Sequence, residues 1–257
     1  MLPKEFRPIF VKRDQLVRVG SLYDGGYILT KKLVKNTKFL ISFGISDNFD
    51  FEEDLHKLNK CQVEGYDYSI NQRFWFERFK KDLIKFFSLK IFKLRKFKEM
   101  FKYFRFLFFF NKNNNKFFLK KINLPEFIKI LERYKSRNRY NIFLKADIEG
   151  SEYDFLYEIN KYHTHIIGFA IEFHNLEKKS EILKKFIINN KYYKLIHVHG
   201  NNFSPLSKYG DPTILEMTFS HTKYLNNYKK FNNRKYPIKE LDYPNAKRAK
   251  DLKLYFI

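Results

Sequence analysis

The sequence predicts a doubly wound α/β fold, and three observations carry that expectation. Short strand-like segments end in glycine or an acidic residue at Lys38–Phe43, Cys61–Asp67 and Asn141–Asp147, the first and third of them mostly apolar, as buried parallel strands are. Segments with helical spacing of apolar residues lie between those runs, giving the alternation of a wound sheet. The chain has 257 residues, of which 44% are hydrophobic, enough for one substantial domain with a packed core.

Taken in order, residues 1–38 contain Asp24-Gly25-Gly26, a turn signal that predicts a lead-in hairpin. Lys38–Phe43 then reads as a strand closed by Gly44, Asp50–Leu58 as a helix, and Cys61–Asp67 as the next strand. From Trp75 to Lys121, Phe, Leu and Lys recur at helical spacing, predicting one or two amphipathic basic helices with a mobile loop at the polar tract Asn111–Lys116. Leu124–Tyr134 reads as a helix with Pro125 in its first turn, where the missing N–H is least harmful. Asn141–Asp147 is the following strand, and Gly150 permits a turn into a helix beginning near Ser151. Further strands are expected at Ile166–Phe173, Lys194–His199 and Pro212–Phe219, with a helix around Lys179–Asn189. Leu252–Phe256 offers a last strand.

Composition narrows the class. The lone Cys61 excludes an intrachain disulfide framework and a cysteine-rich zinc site. The first residues are interrupted by Pro3 and by charges, unlike a signal peptide, and the aromatic run Phe104–Phe110 is too short to span a bilayer. A soluble protein of the cytoplasm, or one peripheral to the inner face of the membrane, is the expectation. The net charge of +23 is uneven: Arg73–Lys121 holds 16 Lys and Arg against Glu77, Asp82 and Glu99, and so carries +13. Such a segment suits phosphate-bearing partners, whereas a compositional bias towards Lys, Asn, Ile, Phe and Tyr explains it without a ligand.

The chemistry concentrates at strand ends. In extended backbone Asp147 and Glu149 leave one face, where they can share a metal, a ligand or a proton; the plainer reading has them cap the next helix. Gly44 ends one strand and Asp67 the next, the arrangement in which a glycine turn approaches a nucleotide and a carboxylate accepts ribose hydroxyls. The G-x-G-x-x-G dinucleotide fingerprint is absent, which speaks against NAD. Glu172/His174 and His197/His199 end the strands that follow, so carboxylates and imidazoles can converge at one sheet edge. They can hold a divalent ion, or a histidine can act directly as general base.

These motifs together resemble the FkbM-type methyltransferases, class I S-adenosylmethionine enzymes of glycan and natural-product pathways. The likeness spans most of the chain: Asp24–Tyr27, Ser42–Phe51, Asp67, Leu144–Tyr153, Ile171–His174, His197–Asn202, Leu215–Phe219 and Leu241–Asn245. Its most specific part is Asp147-Ile-Glu-Gly-Ser-Glu152. The resemblance implies a Rossmann-like, mostly parallel seven-stranded sheet with helices on both faces, S-adenosyl-L-methionine as cofactor, and O-methylation of a sugar or sugar-nucleotide hydroxyl. It implies cofactor contacts at Asp24, Gly25, Gly26, Gly44 and Asp67, with the methionine moiety near Gly44 and the ribose on Asp67. Asp147 and His174, supported by Glu172 and His199 or His197, would form the catalytic core, and Asp147, His174 and His199 a divalent-metal site. The basic aromatic segment 73–121 matches no shared motif and reads as an insertion, either a lid over an anionic sugar nucleotide or a contact with an anionic membrane. The absence of an Asn-Pro-Pro-aromatic motif speaks against methylation of nucleic-acid bases. Two rivals remain open: a nucleotide-sugar glycosyltransferase using Asp147 and Glu149 on a metal-bound diphosphate, and a non-catalytic adaptor for nucleic acid or membrane.

Overall fold

A computed structural model describes residues 1–88, 101–112, 114–135, 141–226 and 232–257. The lead-in forms an antiparallel hairpin of β1 (Leu16–Gly20) and β2 (Gly26–Thr30), separate from the main sheet. A short helix α1 (Lys31–Asn36) follows, capped by the Thr30 hydroxyl, which accepts from the Leu33 N–H. Then come β3 (Phe39–Phe43), α2 (Asp50–Asn59) and β4 (Gln62–Asp67). The basic segment supplies α3 (Gln72–Ser88), α4 (Lys102–Phe110) and β5 (Lys116–Leu119). After it run α5 (Leu124–Glu132), β6 (Ile142–Ala146), α6 (Glu152–Lys161), β7 (Ile166–Phe173), α7 (Leu176–Asn189), β8 (Tyr193–Gly200) and β9 (Leu215–His221).

The main sheet has seven strands in the order β5-β4-β3-β6-β7-β9-β8. Neighbours from β5 to β7 are parallel, while β9 runs antiparallel to both β7 and β8. This is the Rossmann-like, mostly parallel sheet expected, with one strand placed differently. Leu252–Phe256 makes only isolated bridges, Leu2 to Phe256 and Tyr236 to Leu254. The seventh strand is instead β5, at the edge, where the sequence suggested a loop running to Lys116 and a helical insertion. Segment 73–121 is therefore, in its described residues, the crossover from β4 to β5; residues 89–100 and 113 of that predicted insertion lie outside them.

Side-chain parity shows which helices cover which face, because successive strand residues point to opposite sides. Phe43 meets Phe127 of α5 and Phe155 of α6, whose rings stack with centroids 4.2 Å apart. Phe169 and Phe173 continue that face towards Phe186 of α7 and Tyr153 of α6. On the other face, Ser42 bonds Glu52 and Phe143 meets Phe51, both from α2. Gly168 lies against Leu33 of α1 on that same side. The core thus sits in two apolar layers, one on each side of the sheet.

Candidate active site

Starting at the inner strand β3, the chain winds outwards through β4 and β5, then returns to lay β6 and β7 on the other side. Ligands of such sheets bind at the carboxyl ends of the strands where the order reverses. A cleft of about 400 Å³ lies at that place, lined by Gly44, Ser46, Asp67, Tyr68, Ser69, Lys121, Ile122, Asp147, Ile148, Glu149 and Ser151, among others.

Gly44 has a φ of +69°, and a Cβ on it would lie 1.7 Å from the Asp147 carbonyl oxygen. The crossing of the β6 exit loop thus requires a glycine here, in addition to the close approach of a ligand for which the sequence reading invoked it. Asp67 is buried, and its carboxylate is already engaged. One oxygen accepts from the Ser46 N–H at 2.8 Å; the other accepts from the Ser69 N–H and hydroxyl, each at 2.7 Å. With about four lone-pair sites per carboxylate, one remains for a ribose hydroxyl rather than two. A second such bond needs Ser69 to turn away.

At the other end of the cleft the β6 exit meets the end of β7. Glu149 is exposed with φ +49°, so the strand alternation expected to put it beside Asp147 on one face does not apply. Asp147 turns instead towards His174 and Glu172. His174 Nε2 lies 3.2 Å from Glu172 and 4.0 Å from Asp147, while its Nδ1 lies 2.5 Å from Glu152. Glu152 is fully buried and also accepts from the Gly150 N–H, while Asn201 donates to both oxygens of Glu172 at 3.1 Å. Lys145, two residues before Asp147 in β6, reaches the Gly44 carbonyl at 3.1 Å and Glu52 at 3.7 Å, placing a buried cation beside the site.

The electrostatics assign different parts to these groups. Burial pushes the Glu172 carboxyl up to about 7, against the pull of His174. Desolvation lifts Asp147 to about 6 although its side chain stays 38% open, with Lys145 and His174 opposing the rise. Burial alone would lower His174, but hydrogen bonds to Glu152 and Glu172 outweigh it and raise the imidazole to about 10. His174 is therefore an imidazolium near neutral pH. It cannot serve there as the direct base, and the carboxylates beside it can.

His199 does not join this group. The antiparallel β9 intervenes between β7 and β8, pairing Glu216 with Glu172 on one side and with His199 on the other. Both His199 nitrogens are taken, by Glu216 at 2.8 Å and Asp251 at 2.9 Å, and these bonds overcome burial to raise its pKa to about 10. His197 pairs with Asp242 at 3.1 Å. The predicted cofactor residues Asp24, Gly25 and Gly26 form the hairpin turn against Asn48, which donates to the Asp24 carbonyl; they do not line the cleft.

Among the described residues, the donor set that converges for a divalent cation is Asp147, Glu172 and His174, whose ligand atoms all lie within 4.8 Å of one another. Two carboxylates and an imidazole suit such an ion, and Glu152 on Nδ1 is the kind of partner that orients a ligating histidine. Deprotonation of Nε2 is the condition. Sequence reading missed Glu152, Glu216 and Asn201 as participants. All three stood inside quoted motifs, but a glutamate in a helix's first turn and one mid-strand give no local sign of the partner they reach.

No protein-family model and no curated protein matches the chain. Among solved structures, an rRNA methylase from Streptococcus thermophilus is 13% identical with a TM-score of 0.38, over 74% of this chain and 92% of that one. A Streptococcus mutans protein assigned as a methyltransferase, in complex with SAH, is 13% identical with a TM-score of 0.39, over 74% and 93%. A precorrin-6y C5,15-methyltransferase from Geobacter metallireducens is 9% identical with a TM-score of 0.37, over 83% and 98%. Likenesses this distant leave function to the geometry of the site. No helix among the described residues is long and apolar enough to cross a membrane.

Proposed function

We propose that the chain is an S-adenosylmethionine-dependent O-methyltransferase, of FkbM type, that methylates a sugar hydroxyl in glycan biosynthesis. One observation carries the reading: the cleft at the sheet's switch point runs from the buried carboxylate of Asp67 to that of Asp147, which has His174 and Glu172 as neighbours. A sulfonium methyl is already electrophilic, so the protein has to align an oxygen behind it and receive a proton. In the transfer the acceptor O–CH₃ bond forms as the S–CH₃ bond breaks, leaving the thioether, and the hydroxyl proton passes to a carboxylate. Asp147 lines the cleft and, at about 6, is ionised yet basic enough near neutral pH. Glu172 lies behind it, and His174, locked by Glu152, supplies a fixed positive charge beside both.

A divalent ion held by Asp147, Glu172 and neutral His174 would add Lewis acidity towards an acceptor hydroxyl. Acceptor and pathway follow from the motif resemblance. The glycosyltransferase reading loses its main premise, since Asp147 and Glu149 do not alternate on one strand face. Incubation with methyl-labelled S-adenosylmethionine and a panel of sugar nucleotides tests the proposal. Label is expected on a sugar oxygen with the wild type and not with Asp147→Asn. Transfer of a glycosyl group instead, or label on nitrogen or carbon, would overturn it.

A further inference from the structure

Helices α3 and α4 keep large apolar side chains in solvent although the same helices also bury apolar residues well. In α4, Phe106, Phe109 and Phe110 turn inwards around Phe49, and Trp75 of α3 packs on Phe106 and Tyr103. The outward side of α4 nevertheless presents Phe104 and Phe108, 59% and 64% exposed, and α3 presents Phe76 and Ile84, 58% and 68% exposed. Aromatic and aliphatic groups of this size, four residues apart on one helix and eight apart on its neighbour, are more than scattered surface hydrophobics.

The charges divide in the same way. Inward-reaching basic groups are neutralised by the α2 region: Arg78 and Lys102 on Asp47, and Arg105 on Asp50 and Glu53. Arg73, Lys81 and Lys112 are exposed and have no carboxylate partner among the described residues. Two lysines lie over the exposed rings themselves, Lys80 at 4.9 Å from the Phe76 centroid and Lys112 at 4.5 Å from that of Phe108. Ammonium groups lying over rings that themselves face solvent match the interfacial layer of a bilayer, where lipid phosphates meet acyl chains.

We propose that the outer side of α3 and α4 binds a bilayer containing anionic lipid, with Phe104 and Phe108 entering the interface and Lys80 and Lys112 at phosphate depth. Nucleic acid satisfies the charges but gives the exposed aliphatic side chains of Ile84 and Leu107 nothing to contact. α3 begins at Gln72, four residues after Tyr68 of the cleft lining, over which Lys121 lies at 5.5 Å.

The test is co-sedimentation of the full chain with phosphatidylcholine vesicles, alone and with about 30% phosphatidylglycerol, an anionic lipid. At least about tenfold stronger partitioning into the anionic vesicles is expected. The pairs Phe104→Ser/Phe108→Ser and Lys80→Glu/Lys112→Glu should each reduce it by about tenfold or more, the charge pair removing the salt-sensitive part. Phe108→Trp offers a reading that needs no loss of binding: its emission should shift to the blue and be quenched by lipids brominated on the acyl chains. Equal binding to neutral and anionic vesicles, binding unaffected by both pairs, absence of quenching, or displacement from vesicles by an equal phosphate concentration of DNA or RNA would each overturn the proposal.

Discussion

The fully buried Glu152 carboxylate lies 2.5 Å from His174 Nδ1 and holds the imidazole with its other nitrogen towards Glu172 and Asp147. Glu152→Gln keeps the shape but removes the charge. The His174 pKa should fall from about 10 by at least one unit, followed by NMR titration of the ring protons. An unchanged titration would mean that Glu172 alone sets the charge of the ring.

His174 and His199 also predict how stability depends on pH. Both titrate near 10 in the fold against about 6.5 in an unfolded chain, so the folded state binds more protons between those values. Their stabilisation is complete below about pH 6.5 and is lost as pH rises towards 10, at up to about 1.4 kcal/mol per unit for each ring. Asp147 and Glu172, raised to about 6 and 7, act with the same sign from about pH 4 upwards. Thermal melts from pH 5 to 10 should show falling Tm across that window, with a shallower slope for His199→Asn.

At neutral pH, His199→Asn should be strongly destabilising. It leaves Glu216 and Asp251 without their common cation at the junction of β8, β9 and the C-terminal segment. Removal of one partner from a buried ionic cluster costs about 3–5 kcal/mol. Denaturant melts measure this, and a loss below about 1 kcal/mol would show that the network is dispensable.

Gly44→Ala combines a left-handed backbone with a Cβ 1.7 Å from the Asp147 carbonyl oxygen. Backbone strain of this kind costs about 1–3 kcal/mol before the clash is counted. The Tm should drop by at least several degrees, and S-adenosylmethionine binding should weaken because the loop carrying Asp147 is pushed away from β3.

The strands that hold these groups were legible in the sequence because β3, β6 and β7 are buried on both faces and read as mostly apolar runs, and β4, more polar, ends in Asp67 after the helix that follows β3. β5 was not. Its four residues, Lys116-Phe-Phe-Leu119, lie at the sheet edge, half exposed, after a polar tract, and resemble the adjoining helical segment in composition. The position of β9 was equally hidden. Chain order suggested that the ends of β7 and β8 adjoin, whereas pairing energy between strands distant in sequence places β9 between them. That insertion separates His199 from His174 and makes Glu216 the middle of the row. Local pattern located the carboxylates and imidazoles; which of them touch was decided by strand order.

Asp147→Asn probes the reacting carboxylate with little effect on the fold, since the side chain is partly open and the substitution keeps its size. Transfer should fall by about two to four orders of magnitude, with affinity for S-adenosylmethionine changed by less than a few fold. For the wild type the rate should rise through about pH 6 as this group ionises.

Calorimetric titration of S-adenosylmethionine into the wild-type chain and into Asp67→Ala addresses the cleft itself. One-to-one binding by the wild type, weakened at least about tenfold in the variant by loss of the ribose acceptor and of the Ser46 and Ser69 anchors, is the predicted result. Absence of binding by the wild type, or equal affinity in the two, would contradict a cofactor site between Gly44 and Asp67.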